Sequence, residues 1–169
     1  MIQFYIYQDM KSNKLYHIYN RGNWKEEIFL DREDYLNFQK ILRLCFNTYH
    51  FDLLIVCIMP NHYHLVVNQR EKQSISRCMH RVSVIYTKYF NRKYKTVGHT
   101  FQGSFNSKAI DDLDYYHKAI NYIRDNPVEG KLLKNSSMSY EYTYSNETLI
   151  AYYYIFFEQK FNGEGTQDL

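Results

Sequence analysis

The chain has 169 residues, enough for one domain with a real hydrophobic core and little more. Hydrophobic residues make up 45% and charged residues 23%, no apolar run nears the ~20 residues that cross a bilayer, and no basic-then-apolar leader opens the chain, so a membrane protein is excluded and a cytoplasmic one expected. The net charge of +3 hides an asymmetry: from Lys72 to Ile110 there is no Asp or Glu but eight Lys and Arg, leaving 13 basic and 18 acidic residues elsewhere. A solvated helix face would mix signs, so this window reads as a surface for a polyanion, nucleic acid first.

In chain order, Leu15 to Asn20 (LYHIYN) reads as a first strand, ended by the turn-prone Arg21-Gly22-Asn23. Asp31 then caps a helix with Tyr35, Phe38, Ile41, Leu42 and Cys45 at helical spacing. Phe51 to Met59 is a continuous apolar run, the mark of a strand buried on both faces. Pro60-Asn61 makes a turn and His62 to Asn68 returns, so the two runs predict a hairpin. A second helix is expected from Ser74 to Tyr94, with Ile75, Cys78, Val82, Ile85, Tyr86 and Tyr89 as its apolar stripe. A strand over Ser104 to Ile110 follows. A third helix is capped by Asp111 or Asp112, buries Tyr116, Ala119, Ile120 and Ile123, and ends at Pro127.

This order, βαββαβ and then a helix, is the α+β, ferredoxin-like split βαβ pattern: an antiparallel sheet with helices on one face. The additional C-terminal helix is surplus to that fold and free to carry function on the open face. Residues 1–134 form the expected domain, and 135–169 a loosely attached tail whose apolar LIAYYYIFF must dock on it. The three cysteines have neither zinc nor disulfide spacing and fit buried, reduced thiols. The 19 tyrosines are mostly amphipathic packing, so abundance alone cannot find a reactive one.

His62 and His64, two apart on a strand, project from one face. Such a pair is either a metal-ligand pair or two structural histidines, and spacing leaves both open. Tyr122 and Asn126 are four apart on the third helix and therefore neighbours. A phenol is a potential nucleophile and an Asn carbonyl a hard ligand, but spacing alone favours boundary packing and helix termination.

Four blocks in order change that balance: YHIYNRGN (Tyr16 to Asn23), MPNHYHLVV (Met59 to Val67), GHTFQGSF (Gly98 to Phe105) and YIRDNPVEGKL (Tyr122 to Leu132). Together they make Leu15 to Leu132 resemble the REP-associated tyrosine transposases and the single-strand insertion-sequence transposases of the HUH endonuclease superfamily. The resemblance implies a metal held by His62 and His64, with Tyr122 as nucleophile on the last helix. Asn126 stands where the insertion-sequence relatives usually carry Gln as a third ligand. MSYEYTYSN stands in place of a Trp-Ser-Ser-Tyr-like element common in the family.

The implied reaction is metal-dependent cleavage and rejoining of single-stranded or hairpin DNA through a 5′-phosphotyrosine, by a monomer or a homodimer. Two imidazoles and a carbonyl oxygen suit Mg²⁺ or Mn²⁺. Tyrosine's ordinary pKa of about 10 calls for local activation, and no base is identifiable from the sequence. Arg21, Asn23, Arg77, Arg81, Lys88, Arg92 and Lys108 are the expected DNA contacts, while Tyr86, Tyr89, Phe90 and Tyr94 read as core. His17 and His99 sit inside the blocks as DNA contacts or supports, not ligands. The rival readings are a catalytically silent DNA- or RNA-binding module on the same fold, and a hydrolase using the His pair to activate water. The latter needs acidic ligands near the pair, and none lies between Asp52 and Glu71.

Overall fold

Period-two alternation and apolar runs build four strands: β1 (Lys14–Arg21), β2 (Phe51–Met59), β3 (His62–Gln69) and β4 (Asn106–Ile110). A computed structural model describes residues 14–70, 73–129, 140–145 and 148–153, with side-chain surroundings for 14–70 and 73–123. The strands pair antiparallel in the order β2-β3-β1-β4, the expected ferredoxin-like arrangement. β2 and β3 form the expected hairpin, with Met59 opposite His62 across the Pro60-Asn61 turn.

α1 (Arg32–Thr48) and α2 (Ile75–Tyr94) cover one face of this sheet. Asp31 starts α1 with a reciprocal capping box, accepting from the Asp34 amide while the Asp34 carboxylate accepts from the Asp31 amide. Ser74 caps α2. Phe29, Phe38, Tyr63 and Tyr86 are all within 1% of full burial and their rings meet edge or tilted at 5.0 to 5.2 Å. Each such side chain contributes roughly 1.5–3 kcal/mol by leaving water. Cys45, Cys57 and Cys78 are buried free thiols, as their spacing predicts.

α3 (Leu113–Glu129) lies near β2 and β4, with Asp112 Oδ1 accepting from the Tyr115 amide at 2.6 Å as its cap. Its expected end at Pro127 is corrected: the helix carries on to Glu129. Proline's fixed φ is already helical, and so near the helix end it forfeits little beyond one backbone hydrogen bond to the Ile123 carbonyl. The tail is also more regular than expected. β5 (Tyr140–Ser145) and β6 (Thr148–Tyr153) form a separate antiparallel hairpin, from tyrosine- and β-branched-rich runs that favour strand. Residues 135–139, 146–147 and 154–169 of the tail, and Lys72 of the basic window, lie outside the described residues.

Candidate active site

Alternation along β3 sends Tyr63 into the α1/α2 layer, where it meets Phe38, and so turns His62 and His64 to the opposite face. Cross-strand register gathers their neighbours: Tyr19 lies opposite His64, Arg21 opposite His62, His17 opposite Lys108 and Tyr19 opposite Asn106. α3 crosses this same face. It buries Tyr116, Ala119 and Ile123 against the sheet, with Ile120 partly buried beside them, as the wheel predicts. Tyr122, on the exposed flank, lines one pocket with Arg21, Lys25, His62, His64, Gln102, Lys108 and Tyr115.

Tyr122 is 47% exposed, yet its ring stands edge-on to His64 at 5.3 Å between centroids and 6.4 Å from His17. The rings of His62 and His64 are 5.2 Å apart and nearly perpendicular. Both histidines engage the ring nitrogen nearer the backbone: His62 Nδ1 donates to Asn61 Oδ1 at 2.6 Å, and His64 Nδ1 lies 3.0 Å from His17 Nε2. Burial, followed by the neighbouring His17 and His62, pushes the His64 imidazole down to about 3, so it is neutral at physiological pH. Burial and then the Lys108 charge lower His17 in the same sense. His64 is thus a neutral imidazole whose Nδ1 meets His17, beside His62 whose Nδ1 meets Asn61, and two imidazoles each engaged at Nδ1 by a neighbour suit metal ligands with a supporting shell.

Among the described residues no group of three His, Cys, Asp or Glu is set to hold a metal. Asn126 lies one helical turn beyond Tyr122; its side chain lies outside the described residues.

The pocket rim is held by backbone. Gly22 donates to the Asn61 carbonyl at 2.8 Å and Asn23 to the Thr100 carbonyl at 2.9 Å, and Gln102 donates to the Arg21 carbonyl at 3.0 Å. Arg21 Nε also donates to Gln102 Oε1. A side chain at Gly22 would meet the Glu26 carbonyl at 2.2 Å, which explains the glycine by close approach. The next turn, Asn23–Lys25, holds Trp24 at φ 54° and Lys25 at φ 64°, and leaves Trp24 85% exposed.

Sequence reasoning brings His62, His64, Tyr122, Arg21 and Lys108 to this pocket. It missed the bond that His17 makes to His64, because a diagonal contact between strands needs the register. The α2 cations Arg77, Arg81, Lys88 and Arg92 are exposed on the helix layer and do not line the pocket. Asn23 is likewise at the rim, not in the lining. The acid-free window is acid-free in sequence only: Lys93 is held by Asp31, Glu33 and Asp34 of α1, at 2.8 to 3.0 Å. Tyr86 donates to the Ile28 carbonyl at 2.6 Å, and Tyr89 and Tyr94 donate to Asp34, so the α2 aromatics are structural.

The fold resembles two solved structures. One is a REP-associated tyrosine transposase bound to a REP hairpin, at 18% identity and a TM-score of 0.60, covering 75% of this chain and 73% of that one. The other is a candidate transposase from Deinococcus radiodurans, at 15% identity and a TM-score of 0.52, covering 67% of this chain and 90% of that one. No curated protein matches the chain. Among the described residues no helix is long and apolar enough to cross a membrane. The family model for IS200-like transposases matches residues 10–126, a span that holds the whole sheet, all three helices up to Asn126, the histidine pair and Tyr122, and the chain belongs to that family.

Proposed function

We propose that the protein cleaves and rejoins single-stranded DNA, in or beside a hairpin, by transesterification through Tyr122. The observation that carries this reading is the meeting of a reachable phenol with two imidazoles in one cation-lined pocket. Tyr122 Oη attacks phosphorus, the phosphodiester bond to the departing 3′-oxygen breaks, and the DNA 5′-phosphate remains on the tyrosine. Attack by a 3′-hydroxyl on that phosphotyrosine reverses the step, so the bond energy is kept for rejoining.

A divalent cation held by His62 and His64, with Asn126 as third ligand, would act as a Lewis acid on the scissile phosphate, and the mixed nitrogen and oxygen donor set fits Mn²⁺ or Mg²⁺. Arg21, Lys25 and Lys108 supply positive charge to the phosphates of the strand in the pocket. Tyr19 and Tyr115 line the same cavity and offer ring faces to unpaired bases. Lys108 Nζ sits 3.8 Å from the centre of the Tyr115 ring, a cation–π contact that holds both at the wall.

The hairpin-bound relative supports DNA as the partner. The test is incubation with single-stranded hairpin DNA and Mn²⁺, followed by a denaturing gel. A protein–DNA adduct that survives denaturation and disappears in Tyr122→Phe supports the reading, and an adduct that persists in the variant overturns the choice of tyrosine. Binding without any cleavage would favour the silent module.

A further inference from the structure

His17 is the residue in this site with a geometry but no role. It is 7% exposed, pairs in register with Val66 and Lys108, and reaches diagonally to put Nε2 at 3.0 Å from His64 Nδ1. Two neutral imidazoles joined through ring nitrogens share one proton between those atoms: one ring donates and the other accepts. The direction matters. If His17 donates, His64 accepts at Nδ1 and carries its own proton on Nε2, where no metal can bind. If His17 accepts, His64 is the Nδ1–H tautomer and its Nε2 lone pair is free.

We infer that His17 is a positioning residue that accepts the Nδ1 proton of His64, fixing the ring's tautomer and rotation so that Nε2 faces the metal position beside Tyr122. The inference rests on the metal reading of the histidine pair. His62 is served in the parallel way by Asn61 Oδ1, which can only accept and so holds that ring as Nδ1–H too. The two ligands thus use two supports of different kinds, one from the turn before β3 and one from β1. A cation on Nε2 would make the Nδ1 proton of His64 a stronger donor, so the bond to His17 and the metal bond reinforce each other.

Three measurements decide it. Long-range ¹⁵N–¹H spectra of the metal-free wild-type protein report the His64 tautomer directly, and Nδ1–H is expected. An Nε2–H form in the wild type overturns the proposal without any variant. Titration with Mn²⁺, followed by electron paramagnetic resonance, should show His17→Phe binding roughly 10- to 100-fold more weakly, the range for losing a ligand's supporting partner. His17→Gln places an amide oxygen where Nε2 stood and should restore both the tautomer and most of the affinity. If the wild type binds Mn²⁺ and His17→Phe binds it equally with the tautomer unchanged, the positioning role falls and the metal reading stands. If the wild type binds no Mn²⁺, the metal reading falls and takes this proposal with it.

Discussion

The two faces of the sheet use the same residue types for opposite ends. On the α1/α2 face, Tyr86, Tyr89, Tyr94 and the Asp34 carboxylate are partnered within the protein. Tyr86 is buried with its hydroxyl on the Ile28 carbonyl. The carboxylate of Asp34, 0% exposed, accepts from the Leu30 and Asp31 amides, Tyr89, Tyr94 and Lys93. On the α3 face, Tyr122 is half in solvent with its ring against His64, and His62 and His64 line the same cavity. A polar group whose every valence is met holds structure together; one left reachable is available for chemistry. In a chain with 19 tyrosines, this contrast separates the packing tyrosines of α2 from Tyr19, Tyr115 and Tyr122 in the pocket, which composition cannot do.

The contrast breaks most sharply on paired substitutions. Tyr122→Phe should abolish the covalent adduct while leaving the melting temperature unchanged. Tyr86→Phe should do the reverse, keeping the adduct and losing about 1–3 kcal/mol, because the Ile28 carbonyl is stranded in the core. Denaturing gels and urea unfolding read both. The same exchange should appear along β3. His62→Ala and His64→Ala should lose metal-dependent cleavage and keep the fold, whereas Tyr63→Ala, pointing the other way, should cost about 3–5 kcal/mol. Cleavage by either histidine variant at the wild-type rate without added metal would remove the pair from the mechanism.

A smaller effect tests the Asp34 cluster. Lys93→Met leaves a buried carboxylate without its cation and should destabilise by about 3 kcal/mol with no change in adduct formation per folded molecule. Burial works against the Asp31 charge, but hydrogen bonds from Lys93, the Asp34 amide and Tyr94 outweigh it and hold the carboxyl below its usual range. A lowered carboxyl contributes stability above its unfolded pKa of about 4, and that contribution is lost as pH falls through the folded value. Wild-type stability should therefore drop on acidification below about pH 4, and more gently in Lys93→Met.

Salt dependence gives the finest distinction. Replacing Arg21 and Lys108 by Gln removes two pocket cations and should make the slope of log K against log salt shallower by about 1.4 for a short single strand. Replacing Arg77 and Arg81, on the other layer, should do less. Equal effects would mean that DNA wraps past the pocket onto α2.

Much of this was legible because strand and helix periods translate directly into faces. His62 and His64 needed only alternation, and Tyr122 with its buried neighbours Tyr116, Ala119 and Ile123 needed only the helical wheel. The His17 to His64 bond was not, since a one-residue change of register would move every side chain of β1 to the other face. Nor was the neutralisation of Lys93, whose acids lie some sixty residues upstream and meet it only once α1 and α2 pack. Charge counted along a chain is a poor measure of charge in space. Pro127 misled for a simpler reason: a helix-breaking residue near a helix's end has little left to break.

Trp24 turns out to be a built-in optical probe. It is the chain's single tryptophan, it stands 85% exposed on a turn pinned by backbone bonds, and the next residue lines the cavity. Excitation at the red edge of the absorption band bypasses all 19 tyrosines and lights one indole at the doorway. Under the proposed function, its emission is expected to change when single-stranded DNA is added to the unmodified protein, with no dye to perturb the pocket it watches.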